Sequence, residues 1–260
     1  MTIVCCVSNI DVFNDCVVKS LKNLRSCLDF DLLPIYNNNN VYTAAIAGNL
    51  GLDISKNKYI IYVHQDIEFM IDSGKQIAAI IESMDDKRII AGAAGMSIQY
   101  DNNHIDDWGF CDFNNKVGVV YDENNEIVWD GVEQDIVHSL DEILLIIDKD
   151  SGIQFDTSLD GYHLYGLDIC LQARAAGYEV VASKIDIKHY GKYSSSIYKD
   201  HNFIKKLIFI YNKWFMNFPS LYAPYAHWCN DRIVSYIPYV LKNNLHNKID
   251  VSRIAVKINN

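Results

Sequence analysis

Lys58-Tyr59-Ile60-Ile61-Tyr62-Val63-His64-Gln65-Asp66-Ile67-Glu68-Phe69 is the stretch on which the fold turns. From Tyr59 to Val63 it is apolar or aromatic without a break. A run that lacks polar alternation fits a strand covered on both faces, as in the parallel sheets of α/β proteins. The run stops abruptly at His64-Gln65-Asp66. Along extended backbone, side chains at i and i+2 project to the same side, so His64 and Asp66 converge just past the carboxyl end of the strand. Ligands of open α/β sheets bind at that end. An imidazole beside a carboxylate holds a divalent metal or orients sugar hydroxyls. A strand that merely ends in polar turn residues shows the same three letters.

Upstream, Thr2–Val7 is a second apolar strand, and Asp11 is placed to cap a helix carrying Phe13, Val17, Leu21 and Leu24. Asp31–Tyr36 follows as a strand, with Pro34 removing one ladder donor. Four asparagines, Asn37 to Asn40, make a polar turn before the small-residue segment Val41–Leu50, whose Ala-rich face suits close packing of a helix on a sheet. Downstream, Asp72 or Ser73 caps a helix bearing Ile77, Ile80, Ile81 and Met84, and Arg88–Ala91 is another strand. Alternating strands and helices predict right-handed crossovers and a parallel sheet.

The pattern changes after Gly95. Residues Gln99–Trp129 are polar and rich in Asn and Asp, the composition of an insertion that walls a binding site. Within it, Lys116–Tyr121 and Glu126–Trp129 flank Asp122-Glu123-Asn124-Asn125 as a hairpin. Ile136–Ile147 is apolar again, interrupted by Ser139-Leu140-Asp141-Glu142. Asp168 opens a helix carrying Ile169, Leu171, Ala173 and Ala176 and stopped by Gly177; short strands at Glu179–Ala182 and Asp186–Ile187 lead to His189. From His201 an aromatic stripe (Phe203, Tyr211, Trp214, Phe215) predicts a helix, and Tyr222–Tyr239 a second helical stretch packed on the α/β body.

The chain has 260 residues, half of them hydrophobic, and a formal net charge of −10. That balance argues against nucleic acid as a partner and suits a protein that needs a cation to hold an anionic ligand. Seven cysteines, an odd number without C-x-x-C spacing, read as reduced thiols of a cytoplasmic protein, with Cys5, Cys6, Cys16 and Cys170 buried. The first residues read as a strand rather than a signal peptide, and no apolar run is long enough to span a membrane. Lys205, Lys206 and Lys213 accompany the aromatic stripe without forming a dense basic face, which allows at most peripheral membrane contact.

The order of these pieces resembles a known family. A strand ending in His-Gln-Asp, then Phe155-Asp156, then Tyr162-His163-Leu164-Tyr165-Gly166-Leu167-Asp168 opening a helix that ends Ala-Ala-Gly-Tyr-Glu-Val, then His189, are similar to bacterial family-2-like glycosyltransferases of the GT-A fold. The resemblance implies a Rossmann-type mixed, mainly parallel sheet flanked by helices. It implies a nucleotide-sugar-binding and catalytic domain over residues 1–195 and an aromatic-rich helical extension over 196–260. It further implies transfer of a sugar from a nucleotide-activated donor, a UDP-sugar, to a saccharide or other hydroxyl acceptor, with inversion.

By the same resemblance, His64-Gln65-Asp66 stands for the Asp-x-Asp motif, so Asp66, with His64 and the late His189, is expected to hold Mn²⁺ or Mg²⁺. Ser8, Asn9 and Asn38, after the first two strands, are expected at the base and ribose, Gln65 within the donor motif, and Asn49 as an anchor between a helix and the donor loop. Many relatives carry Glu-Asp ahead of the position of Asp168. Here Tyr165-Gly166 stand there, leaving Asp168, Asp160 and His163 as candidate bases. Asp141 and Glu142 are either acceptor-site carboxylates or turn residues. Trp108 and Trp129, beside acids, read as sugar-stacking platforms or as core. A catalytically silent relative that binds nucleotide or carbohydrate is the alternative reading of the altered motifs.

Overall fold

The computed structural model describes residues 1–85, 87–97, 116–191, 201–218, 220–223, 226–229, 232–235 and 256–257. Trp108, Cys111 and the rest of residues 99–115 of the expected insertion lie outside them. In chain order the strands are β1 (Thr2–Val7), β2 (Asp31–Tyr36), β3 (Tyr59–Val63), β4 (Ile67–Phe69), β5 (Ile89–Gly92), β6 (Ala94–Ser97), β7 (Lys116–Tyr121), β8 (Ile127–Asp130), β9 (Gln134–Leu140), β10 (Leu144–Asp148), β11 (Glu179–Ser183) and β12 (Ile187–His189). The helices are α1 (Ile10–Phe13), α2 (Ala44–Ile54), α3 (Ser73–Met84), α4 (Tyr165–Ala175) and α5 (His201–Trp214).

These twelve strands form one curled sheet in the order β2-β1-β3-β10-β5-β11-β9-β6-β7-β12-β4, with β8 on β7. The β2-β1-β3 portion is parallel, as the strand–helix alternation predicts. The mixture is the expected one, but antiparallel pairing reaches further than that alternation suggests. Strands β7 to β10 follow one another without intervening helices, so they return by turns; β10 enters antiparallel between β3 and β5. The hairpin of β7 and β8 around residues 122–125 is present.

The opening apolar run is buried at all five positions because both faces of β3 are covered. Ile3, Cys5, Val7, Tyr59, Ile61 and Val63 share one core with Phe13, Val17, Leu21, Leu24, Ile77 and Met84. Val4, Ile60 and Tyr62 face the opposite core, with the alanines of α2 and with Tyr165, Ile169 and Cys170 of α4. Each fully buried Ile or Phe stabilises the fold by roughly 1.5–3 kcal/mol. The close approach expected of α2 is real: a Cβ at Gly51 would stand 2.5 Å from Val4 Cγ1.

Two local expectations are corrected, and the open alternative for Trp129 is decided. Asn9, not Asp11, caps α1; its backbone is extended and Oδ1 accepts from the Asp11 and Val12 amides. The helix then continues as a π turn and a 3₁₀ turn, which still direct Phe13, Val17, Leu21 and Leu24 inward. Trp129 is core, its indole N–H donating to the Val117 carbonyl at 3.0 Å. The stretch after α5 is not a second helix in its described pieces. It forms β13 (Ser220–Tyr222), β14 (Ala226–Cys229) and β15 (Arg232–Ser235), which pair with β16 (Val256–Lys257) in a separate antiparallel sheet.

Cys5, Cys16 and Cys170 are buried free thiols, Cys6 is half-buried and Cys27 exposed. Burial raises the Cys5 thiol well above its ordinary range and pushes Cys170 up to about 12, so neither is a ready nucleophile. No described helix is long and apolar enough to cross a membrane.

Candidate functional site

The site is built where β3 runs out. The His64 amide bonds to the Ile143 carbonyl at 3.1 Å, which holds the end of β3 against the β9–β10 turn. Three residues later the chain enters β4, whose antiparallel partner β12 sets His189 opposite Ile67. His189 therefore lands beside Asp66, and the Tyr190 amide bonds to the Asp66 carbonyl at 2.9 Å. Asp66 Oδ1 lies 3.5 Å from His189 Nε2 and 4.0 Å from His64 Nδ1. One donor atom from each of the three residues falls within 4.8 Å of the others, a spacing at which the three could hold a metal ion.

The surroundings suit that task. All three side chains are partly covered, so a bound ion would be held in reduced dielectric while remaining reachable. A Cβ at Gly191 would stand 2.6 Å from His189 Nε2 and 3.0 Å from Asp66 Oδ2, so a side chain there would occupy the donor atoms' own space. Burial alone would raise the Asp66 carboxyl, but the His189 hydrogen bond and charge, with His64 beyond, hold it below the usual range. Burial, then the neighbouring His189, pushes His64 down, favouring the neutral imidazole that ligates metals. Burial also opposes charge on His189, yet the bond to Asp66 and the field of Asp141 raise it.

Gln65, the middle residue of the motif, points the other way from its neighbours. Its Oε1 accepts the Ser8 and Asn9 amides, each at 2.9 Å, and its Nε2 donates to Ser8 Oγ at 3.0 Å. The loop after β1 is thereby tied to the motif. Sequence reasoning did not single out Asn37. Buried after β2, it donates to the Tyr42 carbonyl and the Tyr162 hydroxyl and accepts the Tyr42 amide. Asn38 beside it is exposed. Only its place as first residue of the asparagine run pointed to Asn37. Behind His64, the Tyr165 hydroxyl lies 3.1 Å from Nε2.

A model of the glycosyltransferase-like family matches residues 2–211, most of the chain and all of the site. The chain belongs to that family. A curated relative described as ATP synthase subunits region ORF 6 of Fuscovulum blasticum is 27% identical over 164 residues, which are 62% of this chain and 62% of that protein. Among solved structures, GalNAc-T7 with UDP, GalNAc and Mn²⁺ superposes with a TM-score of 0.53 at 12% identity, over 83% of this chain and 49% of that one. S. aureus TarS 1-349 with UDP-GlcNAc gives 0.50 at 10% identity, over 82% and 66%. The chain thus spans between about half and two thirds of each. The shared architecture is the GT-A fold.

For this family member the remaining candidates fall into three groups. Ser8, Asn9, His64, Gln65, Asp66 and His189 come together at the end of β3. Asn49 anchors its helix by hydrogen bonding: its side chain exchanges two hydrogen bonds with the Phe155 backbone and pins α2 to that segment. Asp160 pairs with Lys206 at 3.2 Å on the surface, and His163 packs edge-on against Phe203.

Asp168 departs furthest from expectation. The helix begins at Tyr165, and Asp168 in its first turn is 0% exposed. Its carboxylate accepts from Lys213 Nζ at 2.9 Å, Trp214 Nε1 at 2.6 Å and Gln172 Nε2 at 2.8 Å. Lys213 also reaches Asp156 at 2.6 Å; burial works against its charge, but these two carboxylates outweigh it and raise its pKa. The surroundings of Asp168 are those of a clamp between α4 and α5. Asp168→Ala is therefore expected to cost about 3 kcal/mol in urea unfolding, because Lys213 and the indole N–H lose their partner. Unchanged stability together with lost transfer in Asp168→Asn would return the base to this residue.

Gly166 stands in close contact with Glu142. A Cβ at Gly166 would stand 2.6 Å from Glu142 Cγ, and Glu142 accepts the Gly166 amide at 3.1 Å. Burial, then the neighbouring Asp141, drives the Glu142 carboxyl well above the usual range.

Proposed function

We propose that this chain transfers a sugar from a nucleoside-diphosphate donor, a UDP-sugar, to a hydroxyl of a saccharide or similar acceptor, with inversion. The observation that carries this reading is the His64-Asp66-His189 triad at the carboxyl end of β3, in a chain of the glycosyltransferase-like family. The UDP named with both solved neighbours, and the Mn²⁺ named with one, support the same reading. A divalent ion held by the triad would neutralise the charge that builds on the departing diphosphate. The acidic chain would otherwise repel that group.

The residues divide the work. His64, Asp66 and His189 supply two nitrogens and one oxygen. Gln65 fixes the loop of Ser8 and Asn9, which on this reading meets the nucleotide. Asp141 takes the acceptor's proton. It sits at the end of β9, its Oδ1 set by the Ile143 amide at 3.0 Å, and its field reaches both histidines of the triad. Asp160 and His163 are the alternatives to test beside it.

Two imidazoles with one carboxylate suit Mn²⁺ better than Mg²⁺, which prefers oxygen donors. Calorimetry with UDP is expected to show tight binding with Mn²⁺, binding weaker by on the order of tenfold with Mg²⁺, and none with chelator. Equal affinity in chelator would overturn the metal-assisted reading. Turnover of a panel of UDP-sugars and hydroxyl acceptors tests the transfer itself; binding without turnover would favour a silent binder.

A further inference from the structure

We propose that Tyr165 is a positioning residue for the triad: its hydroxyl fixes the tautomer of His64 so that Nδ1 presents a lone pair to the ion. The inference rests on the metal-holding reading of His64, Asp66 and His189.

Tyr165 Oη lies 3.3 Å from the Glu142 carbonyl oxygen and 3.1 Å from His64 Nε2. A carbonyl only accepts, and a phenol has one proton. With the hydroxyl proton given to the Glu142 carbonyl, as we propose, Oη turns a lone pair to His64. Nε2 must then be the nitrogen that carries hydrogen. A neutral imidazole has one N–H, so Nδ1 is bare. Nδ1 is the nitrogen that faces Asp66, 4.0 Å from Oδ1. A bare nitrogen and a carboxylate oxygen repel one another unless a cation lies between them. Their separation is about twice a metal–donor bond of roughly 2 Å.

The hydroxyl is held firmly enough to impose this. Tyr165 is buried, and its ring packs against Tyr62 and Phe155, each with centroids 5.8 Å away. Tyr62 is itself fixed, its hydroxyl donating to the Ala44 carbonyl at 2.8 Å. His64 is thus gripped twice by one turn: its amide by the Ile143 carbonyl, its ring through Tyr165 by the Glu142 carbonyl. Partners behind a metal-ligating histidine commonly set which nitrogen is free, and removing them weakens metal binding about 10–100-fold.

The test has two readouts on the full chain. Long-range ¹H–¹⁵N spectra of the metal-free protein, taken at a pH where histidines are neutral, report the His64 tautomer; the Nε2–H form is expected in the parent and a mixture in Tyr165→Phe. Calorimetry with Mn²⁺ alone is expected to show affinity about 10–100-fold weaker in Tyr165→Phe, at a melting temperature near the parent's. An Nδ1–H tautomer in the parent overturns the proposal whether or not the variant folds. Unchanged Mn²⁺ affinity in a folded Tyr165→Phe overturns it as well, while leaving the triad standing. No Mn²⁺ binding by the parent would remove the triad reading and the proposal together.

Discussion

Asp66→Ala is expected to abolish Mn²⁺-dependent binding of UDP and to lower any sugar transfer by at least about 10³-fold. Asp66 is the only anionic member of the triad, and its Oδ1 is the atom both histidines face. Without it, two imidazoles alone would have to hold a divalent ion beside a doubly charged leaving group. Electrostatic stabilisation by a bound metal is worth several kcal/mol, and each 1.36 kcal/mol is a factor of ten in rate. The fold is expected to survive, since the Asp66 side chain contributes no described apolar packing and its backbone carbonyl remains paired with Tyr190. Calorimetry with UDP and Mn²⁺ and a thermal melt read the two effects separately. Parent-like affinity in the folded variant would remove the triad from the reaction.

Asp141→Asn is expected to retain donor binding and lose about 10²–10⁴-fold in transfer, the contribution of a positioned general base. Asparagine keeps an oxygen for the Ile143 amide, so the β9–β10 turn should hold. It cannot take a proton. The split matters: a fall in kcat with unchanged UDP affinity marks the base, whereas a fall in both marks damage to the triad nearby. Asp160→Asn and His163→Gln are measured in parallel, and whichever alone gives the kcat effect is the base. If none does, proton transfer does not depend on a side chain among these three.

Much of this was legible in the sequence, and the reasons differ by element. The unbroken Tyr59–Val63 run has one physical reading, burial on both faces, and the period of 2 brought His64 and Asp66 to one side. His189 joined them only by resemblance, because strand pairing between β4 and β12 over more than a hundred residues leaves no local trace. The surroundings of the helix-terminal carboxylate were hidden for a related reason. Position in a first turn gives Asp168 a favourable field, but its partners, Lys213 and Trp214, come from a distant helix. A lysine in an aromatic stripe looks like a solvated charge until that helix docks. Trp129 likewise gave no sign that its N–H ends on a strand carbonyl. The antiparallel entry of β10 was hidden because an apolar run looks the same in either direction.

Gln65 has a consequence for the energetics of occupancy. One amide side chain joins the backbone of the Ser8-Asn9 loop to the peptide between the two triad residues of β3's end. Whatever settles that loop therefore narrows the positions open to His64 and Asp66, and an ion that settles the triad narrows the loop in return. Thermodynamic linkage makes the benefit mutual: the factor by which the cation tightens the nucleotide equals the factor by which the nucleotide tightens the cation. On the proposed reading the chain is thus a heterotropic pair of sites, in which neither ligand alone reports the affinity of the complex.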